Sequence, residues 1–377
     1  MCIRDSVSGV KVYTTWRVYV SNGLNSFSHY AAGSIPSGYH MFFDHNMDDI
    51  KIPGISASID YFGDGSEDIL LVKINSSGSG STLSGMKIID INGLNNYTTY
   101  NISYSSGGYV NPANFMHLGD FDGDGKDDIL WLRYPNDTDF TYSGKLITSH
   151  SGEKNVNLGG LAYLNSAHNI LPSDFDGDGK KELMVLYDNS CEIFEINSQP
   201  VGSTYQVEKI YHSGGPGFPT QWHTIIPGDF NGDGKTDILT SGDNVSWYIA
   251  YSNGKSFAAE PFSFVYNYDP ASSNHTVKIG DYNGDGKTDI LHAYGIWSGG
   301  TSTESRIDIY YAKGHGFNYK TFLTDLITSH QDFVIGDFNG DGKYEAFNRD
   351  YYADPAPIYY FNSCLLYTSP SPRDSSP

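Results

Sequence analysis

The sequence predicts an all-β chain, a β-propeller of six or seven four-stranded blades, and three observations predict it. A nine-residue acidic pattern, Asp-Phe/Tyr-Asp/Asn-Gly-Asp-Gly-x-x-Asp/Glu, begins at Asp60, Asp120, Asp174, Asp229, Asp281 and Asp337. Its intervals of 60, 54, 55, 52 and 56 residues are near the length of one propeller blade. The composition favours short strands and tight turns: of 377 residues 42 are Gly and 30 are Tyr, and no segment keeps a helical period.

Each acidic loop has the same neighbours. An apolar strand enters it, as at 224–228, 277–280 and 333–336, and another leaves it, as at 128–132, 237–239 and 289–291. A third, alternating strand follows (246–251, 307–311), then a Gly-containing turn and a fourth strand (256–262, 319–323). Four short strands per repeat is the content of one blade, with the acidic loop joining the first two. Residues 7–45 supply only late strands, around Trp16-Arg-Val-Tyr-Val-Ser-Asn-Gly. Pairing of the last unit's early strands with residues 12–33 would close six blades; the alternative is a seventh blade lost from the chain.

The two ends read differently from the rest. Met-Cys-Ile-Arg-Asp-Ser at 1–6 and Cys-Leu-Leu-Tyr-Thr-Ser at 364–369 back-translate to one adapter-like nucleotide string and its reverse complement. Residues 1–6 and 364–377 are therefore expected to be adapter-derived, which leaves 7–363 as the propeller, a fragment cut at both ends of a larger multidomain chain. Of the three cysteines, at 2, 191 and 364, only Cys191 then remains, and no disulfide or zinc framework is indicated.

A formal charge of −21 argues against nucleic acid or an anionic membrane as a partner, and no apolar run approaches a membrane span. The excess has one location. Twenty of the 44 acids occupy loop positions 1, 3, 5 and 9, leaving 24 acids against 23 bases elsewhere.

Clustered carboxylates repel unless a cation lies between them, and glycines at positions 4 and 6 allow the turns that fold them around one point. Hard oxygen donors of this kind suit Ca2+, giving Ca-binding hairpin loops and up to six ions. The expected ligands are Asp60, Asp64, Ser66 and Asp68; Asp120, Asp122, Asp124, Lys126 and Asp128; Asp174, Asp176, Asp178, Lys180 and Glu182. The later copies supply Asp229, Asn231, Asp233, Lys235 and Asp237; Asp281, Asn283, Asp285, Lys287 and Asp289; Asp337, Asn339, Asp341, Lys343 and Glu345. Position 7 (the lysines and Ser66) would contribute only its backbone carbonyl, with the side chain in water. Phe62 stands at position 3 of the first copy, so the site at Asp60 is expected to be the weakest.

Two lookalikes fail on spacing. An EF-hand needs Glu at position 12, where Leu71, Trp131, Val185, Thr240, His292 and Asn348 stand. Gly234-Lys235-Thr236 and Gly286-Lys287-Thr288 imitate the end of a P-loop, but Asp229 and Asp281 occupy the place of its first glycine. His117, His223 and His275 precede loops and read as strand packing. Trp131, Trp222 and Trp297 read as spacers between blades, with stacking on sugars the alternative. No GxSxG elbow, HExxH pair or dinucleotide fingerprint appears. The Asn-x-Ser/Thr sites at Asn96, Asn101, Asn136, Asn244 and Asn274 matter only in a eukaryotic secretory route.

Through these six loops the chain resembles the FG-GAP/VCBS repeat family, which includes the calcium-binding propeller of integrin α-subunits, although Phe-Gly before and Gly-Ala-Pro after the loop are missing. The resemblance implies a secreted or cell-surface, non-catalytic propeller holding Ca2+ in its hairpin loops and serving as an adhesion, ligand-binding or scaffold module for a protein or glycan. Trp247-Tyr-Ile-Ala-Tyr-Ser-Asn-Gly after a GDFNGDGKTDIL loop is similar to propeller segments of bacterial Rhs-type and insecticidal-toxin B-type proteins, so part of a large toxin is one alternative. A polysaccharide hydrolase or lyase built on a propeller is another.

Overall fold

The computed structural model describes residues 15–21, 27–34, 36, 39–41, 58–64, 68–77, 80–93, 96–104, 116–133, 143–158, 169–187, 190–213, 224–241, 247–265, 275–298, 301–324, 333–336, 342–348, 358–361 and 366–368. They form strands, turns and bends with no helix among them, and so none long and apolar enough to cross a membrane.

Strands β1 (Thr15–Ser21) and β2 (Phe27–Ser34) pair in a small antiparallel sheet. The first full sheet has β3 (Tyr39–Met41) and β4 (Ser58–Ile59) along β5 (Asp68–Ser77), then β6 (Gly80–Gly93) and the exposed β7 (Asn96–Asn101). Two meanders follow: β8 (Met116–Gly119), β9 (Asp128–Arg133), β10 (Ser143–Thr148) and β11 (Gly152–Asn157), then β12 (Asn169–Ser173), β13 (Glu182–Tyr187), β14 (Ser190–Ile196) and β15 (Thr204–Ser213). Their fourth strands pair in parallel, Asn155–Asn157 against Thr204–Gln206, so the two sheets merge into one of eight strands.

The next three meanders stand separately. They are β16 (Thr224–Gly228) to β17 (Asp237–Ser241), β18 (Trp247–Ser252) and β19 (Phe257–Phe262); β20 (His275–Gly280) to β21 (Asp289–Ser298), β22 (Thr301–Ala312) and β23 (Phe317–Thr324); and β24 (Phe333–Gly336) to β25 (Glu345–Asn348), β26 (Ile358–Phe361) and β27 (Leu366–Thr368). Within each meander the strands are ordered as in the chain. The last sheet draws its fourth strand from 366–368, inside the segment read from sequence as foreign, and β1 and β2 pair with each other.

The hydrophobic cores lie between successive sheets. Side chains alternate along a strand, so one strand feeds two cores. Ile129 and Trp131 pack with Ile59, Leu70 and Met86 of the preceding sheet, whereas Leu130 and Leu132 pack with Leu183 and Val185 of the next. The same alternation sends Leu183 and Val185 back and Met184 and Leu186 forward against Ile225 and Ile238. Trp131 is fully buried in such a core, so it serves as a spacer and offers no face to a sugar. Trp222 lies outside the described residues. His117, on β8, is buried, and burial holds its imidazole down to about 4, neutral at ordinary pH.

Candidate metal centre

Each described loop folds around its own first aspartate. In 229–237, Asp229 Oδ1 accepts N–H bonds from Gly232 (2.6 Å) and Asp233 (3.1 Å), and Oδ2 accepts one from Gly234 (2.9 Å). Turning both glycine amides inward requires φ of +81° and +82°, which glycine adopts without strain. Loop 281–289 repeats the pattern at 2.7, 3.1 and 2.7 Å, and Asp120 and Asp174 each take the two glycine amides at 2.7–3.0 Å. Position 5 closes the turn, as Asp124, Asp178, Asp233 and Asp285 accept the position-7 amide.

Position 9 begins the next strand, and its carboxylate turns back beneath the loop. Asp68, Asp128, Glu182, Asp237 and Asp289 each accept the amide of the position-2 aromatic, at 2.6–3.1 Å. Asp128, Glu182, Asp237 and Asp289 are 0 % exposed. Burial, reinforced by the charge of Asp122, pushes Asp128 up to about 9; burial with the charges of Asp176 and Asp174 pushes Glu182 to about 8. Asp237, Asp289 and Asp68 rise to about 7, again chiefly through burial. Buried acids close to other acids are costly unless protonated or neutralised by a cation.

The copies differ at the second oxygen of position 9. Asp237 Oδ1 accepts the Ser252 amide and Asp289 Oδ1 the Ala312 amide, both at 2.8 Å. Asp128 Oδ1 and Glu182 Oε1 are buried with no such donor, as is Asp122 Oδ1. These loops also gather the most ligands: one oxygen each from Asp174, Asp176, Asp178 and Glu182 lies within 4.8 Å of the others, and Asp120, Asp122 and Asp128 converge equally closely. An all-oxygen donor set with orphaned buried carboxylate atoms fits a hard divalent cation.

Of the other expected ligands, Asn231 and Asn283 accept the amides of Asp233 and Asp285 at 2.8 Å from inside their loops. In the first copy Asp60 Oδ1 binds the amides of Gly63 and Asp64, while Phe62 packs against Tyr61 and Tyr100 where the others place a ligand. Ser66, Asp337, Asn339 and Asp341 lie outside the described residues, as do His223 and the side chains of His275, Trp297 and Glu345.

The repeated lysine corrects the sequence expectation that its side chain points to water. Lys180 is buried, and Lys126, Lys235, Lys287 and Lys343 are half-buried. Each stem lies across the position-4 glycine of the preceding loop: a methyl group on Gly177 would meet Lys235 Cγ at 3.1 Å, and one on Gly284 would meet Lys343 Cγ at 3.1 Å. In three copies the ammonium returns to its own position-5 aspartate, at 3.5 Å for Lys180–Asp178, 3.3 Å for Lys235–Asp233 and 3.0 Å for Lys287–Asp285, and Lys180 also pairs with Glu195.

Positions 2 and 8 carry roles that no ligand pattern marks. The position-2 ring is buried in the core beside the loop, as for Phe121, Phe175 and Phe230. The position-8 amide donates to the position-1 carbonyl one repeat earlier, in five successive links: Asp127 to Asp60, Lys181 to Asp120, Thr236 to Asp174, Thr288 to Asp229 and Tyr344 to Asp281, at 2.7–2.9 Å. The recurring glycine before position 1 was the available signal, since a methyl on Gly228 would strike Thr288 Cγ2 at 2.7 Å.

The family model described as "FG-GAP-like repeat" matches residues 174–240 and 229–292. No curated protein matches the chain. Among solved structures, an Agrocybe aegerita lectin that recognises non-reducing terminal N-acetylglucosamine is 19 % identical, aligned over 83 % of this chain and 81 % of its own, with a TM-score of 0.50. AofleA from Arthrobotrys oligospora is 10 % identical over 94 % of this chain and 88 % of its own, at a TM-score of 0.38, too loose to bear on the fold. The same holds for a TcdB2–TccC3–Cdc42 complex, 12 % identical over 93 % of this chain and 20 % of that one, at 0.27. Loops and strand order agree on an all-β, propeller-type chain, of which residues 174–292 match the FG-GAP-like repeat model.

Proposed function

We propose that the protein is a non-catalytic, calcium-stabilised propeller module of a secreted or cell-surface protein, used for ligand binding or as a scaffold. The observation that carries the calcium part is the buried position-9 acid. Four such carboxylates are wholly buried beside other acids, and in loops 120–128 and 174–182 one oxygen of each has no donor. Ca2+ would be held by side chains at positions 1, 3, 5 and 9 and by the position-7 carbonyl. Its chemistry there is charge neutralisation, which ties the start of the second strand to the loop above it.

We infer the extracellular setting from the kind of calcium site that extracellular modules carry. Calcium sites of modest affinity, with Kd on the order of 10⁻⁴–10⁻³ M, fill only where calcium is millimolar. The role as a binding module is supported by the propeller-type fold and by the FG-GAP-like repeat match over residues 174–292.

The test is thermal unfolding of the full chain in excess EDTA and in millimolar Ca2+. Each site that binds only the folded state adds RT ln(1 + [L]/Kd), about 0.4–1.4 kcal/mol per site in millimolar Ca2+ for a Kd in that range. A rise of many degrees is expected. Equal midpoints in the two buffers would remove the calcium reading.

A further inference from the structure

We propose that the rim of loop 120–128 is a second kind of metal site, formed by His150, Asp124 and Asp122, that takes a borderline divalent transition ion such as Zn2+. In an antiparallel meander the first and third connections emerge at the same end. The β10–β11 turn therefore rises beside the β8–β9 loop. Thr148 Oγ1 pins this turn through Ser151 Oγ (2.8 Å) and the Ser151 amide (3.0 Å), and His150 stands at its tip. The imidazole reaches across: Nδ1 lies 2.7 Å from Asp124 Oδ2, and Nε2 lies 3.8 Å from Asp122 Oδ2. One donor atom from each of the three residues falls within 4.8 Å of the others.

Asp122 distinguishes this arrangement from a surface ion pair. It is 4 % exposed, and the buried Tyr205 hydroxyl, from the neighbouring meander, donates to its Oδ2 at 2.7 Å. Its Oδ1 is buried without a donor. A ligating carboxylate oriented by an outer hydroxyl, with one oxygen free, is the support that metal sites use. An imidazole nitrogen adds little for Ca2+ but much for Zn2+, Co2+ or Ni2+. His150 is 44 % exposed, which leaves an entry path and open positions for water. Among the described residues the other histidine in such a turn, His315, turns away from its own loop to Glu260 and Tyr251.

The proposal rests on reading this loop's carboxylates as cation ligands, and it is independent of whether calcium occupies the remaining loops. The full chain, stripped with EDTA and exchanged into chelator-free buffer, is titrated with Zn2+ by calorimetry and with Co2+ by visible absorption, as wild type and as His150→Ala. One Zn2+ site of the wild type is expected to weaken tenfold or more in the variant, with loss of the nitrogen-ligated Co2+ bands. The thermal shift given by Ca2+ and the midpoint in EDTA are expected to survive, because His150 packs in no core. Equal Zn2+ affinities in the two proteins, or no Zn2+ binding by the wild type, overturn the proposal. His150-dependent Zn2+ binding without any Ca2+ shift upholds it and removes the calcium reading instead.

Discussion

Thr288 holds Asp229 from two sides: its amide donates to the Asp229 carbonyl at 2.7 Å, and its hydroxyl accepts the Asp229 amide at 3.0 Å. The two residues are 59 positions apart and belong to successive repeats. Asp127 makes the same two-point contact with Asp60, at 2.9 and 3.1 Å, and Ser173 meets Thr236 through their hydroxyls at 2.8 Å. The acidic loops are therefore linked one to the next by main-chain bonds.

Removing one half of that contact should be measurable. Thr288→Val keeps the shape and the amide bond but leaves the Asp229 N–H without its acceptor, at a cost of about 1–2 kcal/mol. Urea unfolding is expected to show a lower midpoint at unchanged slope. An unchanged midpoint would mean that water replaces the hydroxyl and that the amide bond alone carries the link.

Asp128→Asn separates the burial cost from the ligand role. In EDTA the neutral amide is expected to match or exceed the wild type in thermal midpoint, since burial already disfavours the charged form. In Ca2+ the shift should shrink, because a charged ligand is lost. A large drop in EDTA would show that the carboxylate is needed for packing and not for an ion.

The pH dependence of the metal-free chain follows from the same groups. Asp128 and Glu182 have folded-state values raised to about 9 and about 8, above their ordinary 3.8 and 4.5. The folded state then binds more protons than the unfolded one, so stability is full near pH 4 and declines as pH rises towards 9. In Ca2+ the decline should vanish, because the ion takes the place of the protons. Thermal melts across this range in EDTA and in Ca2+ read both slopes, and a rise in stability between pH 5 and 9 in EDTA would contradict the argument.

Gly232 and Gly234 share a conformation and differ in surroundings. Both have φ near +80°, so alanine at either should cost about 1 kcal/mol in strain. A methyl at Gly234 meets open space, whereas one at Gly232 meets the stem of Lys287 at 2.9 Å. Gly232→Ala is expected to be the more destabilising in chemical denaturation. Equal losses would mean that the lysine stem moves aside freely.

Much of the architecture is legible in the residues. Short strands with alternating apolar positions, glycines at loop positions 4 and 6, and an acidic nonapeptide at a fixed interval encode local φ angles and pleat directions, which need no partner to be read. The place of Lys235 was not legible, because a lysine in a turn ordinarily faces solvent, and only Gly177 of the preceding loop makes room beneath it. His150 was equally silent, lying 26 residues beyond Asp124 with no spacing that marks a metal ligand.

The repeating unit is written in the residues themselves: four strands, one acidic loop and its oxygen donors, all set by residues within reach of one another along the chain. Folding in three dimensions settles which donors are buried, which of their oxygens lack a partner, and which side chains arrive from elsewhere. Burial of Asp128 and Glu182 requires the folded chain to close over them, and the Thr288–Asp229 contact requires one repeat to lie against the next. These are properties of packing between segments some 50–60 residues apart, and no local pattern of residues carries them.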